Sequence, residues 1–448
     1  MTTRQNRQGM GEITPELERL LDKDSVCTWE TLDEPSRQRL QQAIAGTPPA
    51  CIVYPETPDA LSRVVAACHR QGWRMLPMGN GSKLHWGGVV EDVEVVVSTK
   101  RLDRIVEHAV GDLTLTVEAG ATLRHLNSIL AQSRQFLALD PSYPDDATIG
   151  GIVATGDMGS WRQRYNSVRD RLIGISFVRS DGEIVKAGGR VVKNVAGYDL
   201  MKLLTGSYGT LAIATQLTFR LYPIPEASET LALCGDAEAI ASVTQTVLAS
   251  SLVPTAIDLL SPGTVKSLEL GSGFGLLVRF QSVAESVNQQ IDRLRQLGEK
   301  LGLTATSYRD DTEAQSETDL WDRSRILIEA DDPQTRVLGK IGIRPTAAVA
   351  ALKYLEEAFS GDAIAVVHAG CGLGRVRVPT PLATTSNLLN LRNHLQHNSG
   401  FLTILEAPQS LKRQLDVWGY VGNAQTAMQQ IKAKFDAQNL LSPKRFIV

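Results

Sequence analysis

The residues of this chain that could do chemistry are loops able to hold an anion and side chains able to carry or move charge. The first loop is Met78-Gly79-Asn80-Gly81-Ser82-Lys83. Glycine and serine let backbone N–H groups approach an anion closely, because no bulky Cβ substituent intervenes, and Lys83 adds a positive charge. The loop is neither GxxxxGK[ST] nor GxGxxG, which excludes a triphosphate P-loop and the Rossmann fingerprint. Taken alone, it reads equally well as an ordinary turn. The second region, 147–223, is crowded with glycine, serine and threonine in its first and last thirds. Its simplest physical reading is a wall around a large phosphate-bearing ligand. Within it, Arg162, Arg164, Arg169 and Arg171 either form a structural network with Asp170 and other carboxylates or touch the ligand. His108 and His125 have no metal-like spacing and read as surface or satisfied histidines. The five cysteines are scattered and never spaced as CxxC, so they read as free thiols in a reducing compartment. That pattern opposes a disulfide scaffold, and an iron–sulfur cluster held by this chain alone.

Composition narrows the class. With 448 residues, 43% of them hydrophobic, the chain is too long for one ordinary core and predicts two or three domains. A net charge of −3 with mixed signs throughout argues against nucleic acid as a partner. No apolar run reaches the roughly 18 residues a membrane span needs, and the opening residues lack an apolar signal region. A cytoplasmic protein is expected, with any membrane association arising through partners.

Several elements must position these loops. Residues 1–48 are polar and weakly patterned, and read as an N-terminal extension on a domain surface. From Ala50, the order is strand CIVY, a helix capped by Thr57 with Pro58 at its first position and stopping at Gly72, then strand WRMLP. This is a crossover unit, and the Met78–Lys83 loop follows its second strand, where α/β folds place phosphates. VEVVVST, RIVEH and LTLTVEAG are short strands, TLRHLNSILAQS is a helix, and Phe136–Leu139 is a strand. LIGISFV, Asp181-Gly182 and EIVKA form a hairpin signal. The region after 226 changes rhythm. LALC, a helix, TAIDLL, FGLLVRF, a second helix and TATSY give the β-α-β-β-α-β order of a ferredoxin-like sheet, and further strands and helices follow.

The succession of motifs carries a resemblance. The PxGxGS-like loop, the EAGAT strand and helix, ATIGG, GSWRQRYNSVRDRLIG and VVKNVAGYDLMKLLTGSYGTLA occur in this order between about Ala50 and Pro225. In that order they resemble the FAD-binding domain of the p-cresol methylhydroxylase and vanillyl-alcohol oxidase superfamily. Within it, the chain is most similar to the FAD-binding subunits of glycolate oxidases. The resemblance implies an α+β protein: a two-lobed PCMH-type FAD-binding domain over 49–226, then a ferredoxin-like α+β cap or substrate domain over 227–410. A C-terminal helix and tail, 411–448, would return to the FAD domain. The implied pyrophosphate cradle comprises Met78, Gly79, Asn80, Gly81, Ser82 and Lys83 on one side, and Thr148, Gly150 and Gly151 on the other. Thr148 would cap a short helix. Gly156 and Gly159 would let the chain pass close to the cofactor, Ile213 would lie on its adenine or ribose side, and Arg445 would return from the tail. FAD is expected to be non-covalent, because Asn80 and Gly81 stand where a linked histidine would be.

One departure bears on activity. Related catalytic subunits that oxidise 2-hydroxy acids carry GHxGDGNxH, whose two histidines can hold a metal. The matching stretch here is VHAGCGLGR: His368 is kept, with Cys371, Leu373 and Arg375 replacing Asp, Asn and the second His. No metal site is expected from one histidine. The resemblance then implies an FAD-binding subunit of a glycolate oxidase or dehydrogenase complex. Its partners would be a sister FAD-linked catalytic subunit that holds the 2-hydroxy acid and an iron–sulfur subunit. The alternative is a self-sufficient FAD-linked oxidase of another small hydroxy acid or alcohol. In that case His368 would be the base and Arg344 and Arg375 the carboxylate binders.

Overall fold

The computed structural model describes residues 2–189, 198–310, 315–329 and 334–446. Residues 190–197, which include Lys193 to Gly197 of the KNVAGYDL motif, lie outside the described residues. The chain divides into two compact units, one of 1–158, 167–223 and 421–448, the other of 159–166 and 224–420.

The first unit holds a four-stranded sheet in the order Val26–Thr28, Cys51–Val53, Val95–Ser98, Met75–Met78. The last three strands are parallel, and the helix Pro58–Gln71 connects the second and fourth in this order. Thr57 caps that helix by accepting from the Ala60 N–H at 3.1 Å, and Gly72 ends it at φ +70°. Residues 1–48, read from the sequence as an extension, supply the edge strand of this sheet. They also supply Ile13 and Leu17, both fully buried beside Val64, Val65 and Leu441. A five-stranded antiparallel sheet follows, in the order Ile184–Gly188, Leu172–Val178, Ile213–Arg220, Thr114–Glu118, Ile105–Ala109. Its first two strands are the expected hairpin, with Gly182 at φ +92°. Only Gln135–Phe136 is a strand where Phe136–Leu139 was expected; it pairs with Tyr222–Pro223, and Leu137–Leu139 is buried without a ladder.

The second unit is organised on an eight-stranded antiparallel sheet. Strands Ala227–Gly235, Ala256–Leu260, Phe274–Ser282 and Thr304–Tyr308, with helices Ala237–Ala249 and Ala284–Lys300, realise the expected β-α-β-β-α-β order. Strands Arg336–Gly342, Ile364–His368, Leu373–Pro379 and Phe401–Glu406, with helices Ala348–Ala358 and Thr385–His397, repeat it. Numbering the strands within each half, both halves have the spatial order 4-1-3-2, and the two second strands join them. One face of the sheet carries Leu231, Leu233, Val278, Val367, Val376 and Ile404, packed under the helices as a core. Strand alternation sends Asp258, Arg279, His368, Arg375 and Lys340 to the other face.

Candidate functional sites in the two units

The first unit contains a cleft lined by every residue from Met78 to Lys83, by Thr148, Gly150, Gly151, Ile213 and Arg445. Its origin is local. The loop leaves the strand Met75–Met78 and is tied down by the Thr99 N–H donating to the Met78 carbonyl at 2.8 Å and Ser98 Oγ donating to the Gly79 carbonyl at 3.0 Å. Gly81 takes φ +79°. A Cβ on Gly79 would lie 2.0 Å from Thr148 Oγ1, so the two loops can touch only because this residue is glycine. Asn80 Nδ2 joins them again by donating to the Asp146 carbonyl at 2.9 Å. Thr148 Oγ1 accepts from the Gly151 N–H at 3.2 Å and caps the short helix Ile149–Thr155. A Cβ on Gly150 would lie 2.9 Å from the Ala119 carbonyl oxygen.

Charge reaches this cavity in an unexpected way. Lys83 Nζ lies 2.8 Å from Asp157 Oδ2, and both side chains are buried. Asp157 also accepts from the Ser142 N–H at 2.8 Å. The Lys83 charge is therefore balanced by Asp157 within the protein. A second cation, Arg445, lines the same cleft. It is buried, and its Nη1 donates to the carbonyls of Trp86 at 2.7 Å and Gly88 at 3.3 Å. Burial pushes its pKa down to about 10, which still leaves a cation at neutral pH. The tail that carries it enters this unit through the Met75 N–H donating to the Leu440 carbonyl at 2.6 Å. Gly156 ends the helix Ile149–Thr155 at φ +60°, and neither it nor Gly159 lines the cavity.

A glycine-walled cleft with one buried guanidinium fits a diphosphate. Leu76, Val153, Leu204 and Ala212 add an apolar wall for a large organic group. Asn80 Oδ1 is buried without a hydrogen-bond partner among the described residues and is available to a ligand donor. These residues fit FAD.

The second unit has a separate polar cluster. Asp258 and His368 are register partners across the strands that join the two halves of the sheet. His368 Nδ1 lies 2.8 Å from Asp258 Oδ1, with the imidazole 13% and the carboxylate 2% exposed. Ser160 Oγ donates to Asp258 Oδ2. Arg344 is exposed and donates to Ser399 Oγ at 2.8 Å, while the N–H of its neighbour Ile343 donates to the Gly372 carbonyl on the hairpin after His368. Arg375 is half-buried on the same sheet face as His368, opposite Val366. Of the sequence-stretch arginines, Arg171 stacks over the Tyr222 ring at 5.3 Å, and Asp170 forms a capping box with Ser167. Asp258, Asp157 and Ser160 were not singled out by sequence reasoning. Asp258 had a usable signal: an acid inside the apolar strand TAIDLL must be buried, and a buried acid needs partners.

Residues 49–188 match the family described as FAD binding domain. The whole chain has the fold of 4-ethylphenol oxidase from Gulosibacter chungangensis, with TM-score 0.76, 14% identity, and coverage of 97% of this chain and 96% of that one. It likewise superposes on p-cresol methylhydroxylase, with TM-score 0.75, 13% identity, and coverage of 98% and 97%. These define a flavoprotein with a PCMH-type FAD-binding fold, and FAD is its cofactor. Among sequence relatives, the glycolate oxidase subunit GlcD of Bacillus subtilis (strain 168) is 28% identical over 60% of this chain and 61% of its own length. The mitochondrial cytochrome D-lactate dehydrogenase of Arabidopsis thaliana is 27% identical over 61% of this chain and 49% of its own. The matches span about half to three-fifths of these relatives' length. No helix among the described residues is long and apolar enough to cross a membrane.

Proposed function

We propose that the chain is the FAD-binding subunit of an oxidase or dehydrogenase complex that oxidises a small 2-hydroxy acid, glycolate to glyoxylate being the first candidate. The observation that carries this reading is the Gly79–Thr148–Arg445 cleft, which fits a dinucleotide diphosphate, in a chain whose relatives include a glycolate oxidase subunit and D-lactate dehydrogenases. Residues Met78–Lys83, Thr148, Gly150, Gly151 and Ile213 would hold non-covalent FAD, with Arg445 pairing with its phosphates. The bound flavin would supply the two-electron acceptor. Electron exit would run to partners, a sister flavin subunit and an iron–sulfur subunit, since the cysteines of this chain are scattered and mostly buried. A second reading, a self-sufficient dehydrogenase, is favoured by the Asp258–His368 pair, which has the form of an oriented proton acceptor.

Anaerobic mixing of the purified chain with glycolate and with D-lactate, alone and after co-purification with its partners, tests the proposal. Flavin bleaching that needs the partners supports the subunit reading. Rapid bleaching by the chain alone supports the second. Absence of bound flavin after reconstitution refutes both.

A further inference from the structure

The polar cluster of the second unit contains more than the pair just described. Asp258 is 2% exposed, accepts from Ser160 Oγ and lies 2.8 Å from His368 Nδ1. An ionised carboxylate can only accept, so the hydrogen between the Asp258 carboxylate and His368 belongs to Nδ1. The other ring nitrogen, Nε2, is then the acceptor. The imidazole is partly open to solvent, so that acceptor can be reached.

A cation lies on the segment packed against the same strands. The segment 159–166 packs its helix Arg162–Tyr165 on the strand Ala256–Leu260. It presses on the hairpin after His368 closely enough that a Cβ on Gly370 would lie 1.7 Å from Gln163 Oε1. Arg162 Nε is buried and has no hydrogen-bond partner among the described residues. Burial raises the pKa of Cys371, three residues beyond His368, while the Arg162 charge lowers it, which places the guanidinium within electrostatic reach of this hairpin. Native proteins seldom leave a buried guanidinium nitrogen unpaired unless something else fills the place.

We propose that Arg162 and His368 form a binding site for a small 2-hydroxy carboxylate: the guanidinium pairs with the carboxylate, and Nε2 accepts the hydrogen bond of the 2-hydroxyl. Asp258 and, through it, Ser160 are positioning residues that fix the imidazole in the Nδ1–H form. The site rests on the reading of the chain as acting in 2-hydroxy acid oxidation, and it puts the acid on this chain. It differs from the sequence expectation in using Arg162 in place of Arg344 and Arg375.

The test uses the FAD-loaded full chain and 2-hydroxyisobutyrate, a 2-hydroxy acid with no hydrogen on C2, so binding is read without turnover. Calorimetric titration should show binding, weakened roughly 10- to 100-fold by Arg162→Met, the range of a charge-assisted hydrogen bond. Arg162→Lys should lose less. Isobutyrate, which lacks the hydroxyl, should bind more weakly than 2-hydroxyisobutyrate to the native chain and equally to His368→Gln. In chain carrying ¹⁵N-histidine, the His368 signal, assigned by its loss in His368→Gln, should report the Nδ1–H tautomer. Asp258→Asn should move it toward Nε2–H, whereas Asp258→Glu should restore Nδ1–H. No binding to the native chain, or unchanged affinity in both Arg162 variants, overturns the site while bound flavin leaves the proposed function standing. An unchanged tautomer in a folded Asp258→Asn variant overturns the positioning role. Loss of flavin from the native chain refutes the proposed function instead.

Discussion

Asp157→Asn is the perturbation that separates a structural Lys83 from a cofactor-binding one. The Lys83 and Asp157 side chains are 5% and 1% exposed, with 2.8 Å between the charges. Removing one charge of such a pair leaves the other buried and uncompensated, at a cost of about 3–5 kcal/mol, whereas replacing both by apolar residues is close to neutral. Asp157→Asn should therefore be costly, and Lys83→Met with Asp157→Leu should recover most of the loss. Because the chain has two units, global unfolding is not a two-state measure. Native-state hydrogen exchange of the strand Met75–Met78, which feeds the loop, is the better assay. A loss of about 3–5 kcal/mol corresponds to roughly 100- to 4,000-fold faster exchange, at about 1.4 kcal/mol per tenfold. FAD should restore part of the protection in Asp157→Asn, because the freed ammonium then lies at the wall of a cavity that would hold phosphates. Exchange within threefold of the native chain in Asp157→Asn would refute the argument that this pair is a closed, low-dielectric unit.

Three further outcomes are expected. Gly150→Val should abolish flavin retention, because even its Cβ meets the Ala119 backbone at 2.9 Å; the ratio of visible to ultraviolet absorbance of the purified variant checks this. Arg445→Met should keep the fold and weaken FAD roughly 10- to 100-fold, the scale of a lost charge-assisted contact, measured by fluorescence titration of the apoprotein. The third concerns pH. Burial raises the Cys51 thiol from 9.0 to about 12 and raises that of Cys68 as well. Their folded pKa values exceed the unfolded one, so the folded state holds more protons above pH 9 and their contribution to stability is lost as pH rises toward 12. Each should withdraw about 1.4 kcal/mol per pH unit in that window, and Cys51→Ala with Cys68→Ala should flatten the alkaline fall in melting temperature.

The sequence revealed what local pattern controls. Asp181-Gly182 between alternating apolar runs specified the hairpin Leu172–Val178 and Ile184–Gly188, because only a residue tolerant of positive φ fits that turn. Thr57-Pro58 and Gly72 marked both ends of a helix for similar reasons. Three things were not legible. Leu137–Leu139 is apolar enough for a strand, but a ladder needs a neighbour, and only Phe136 and Gln135 find one. The tail was expected to return to the FAD domain, but the partners of Lys432 there were not legible. In the fold its ammonium donates to the carbonyls of Thr210 and Leu441 and pairs with the buried Asp436, and Thr210 lies 222 residues away from it in sequence. The placement of Arg162 depends on segment 159–166 joining a sheet whose nearest strand begins at Ala256, which no window of sequence contains.

The duplicated sheet explains why the polar cluster sits where it does. Each half of the second unit is a complete 4-1-3-2 sheet whose second strand would otherwise be an exposed edge, open to pairing with other chains. Joining the halves through Ala256–Leu260 and Ile364–His368 removes both edges at once. Antiparallel pairing around this joint sets the carboxyl-terminal residue of one strand, His368, opposite Asp258, the middle residue of the other. Equivalent strands thus present non-equivalent positions to each other, and one face can hold an acid and a base as direct cross-strand neighbours. The other face of the same strands, Ile257, Leu259, Ala365 and Val367, is locked under helices. A one-residue slip would therefore bury Asp258 and His368 among leucines and valines, so the core that fixes the register also fixes the pair.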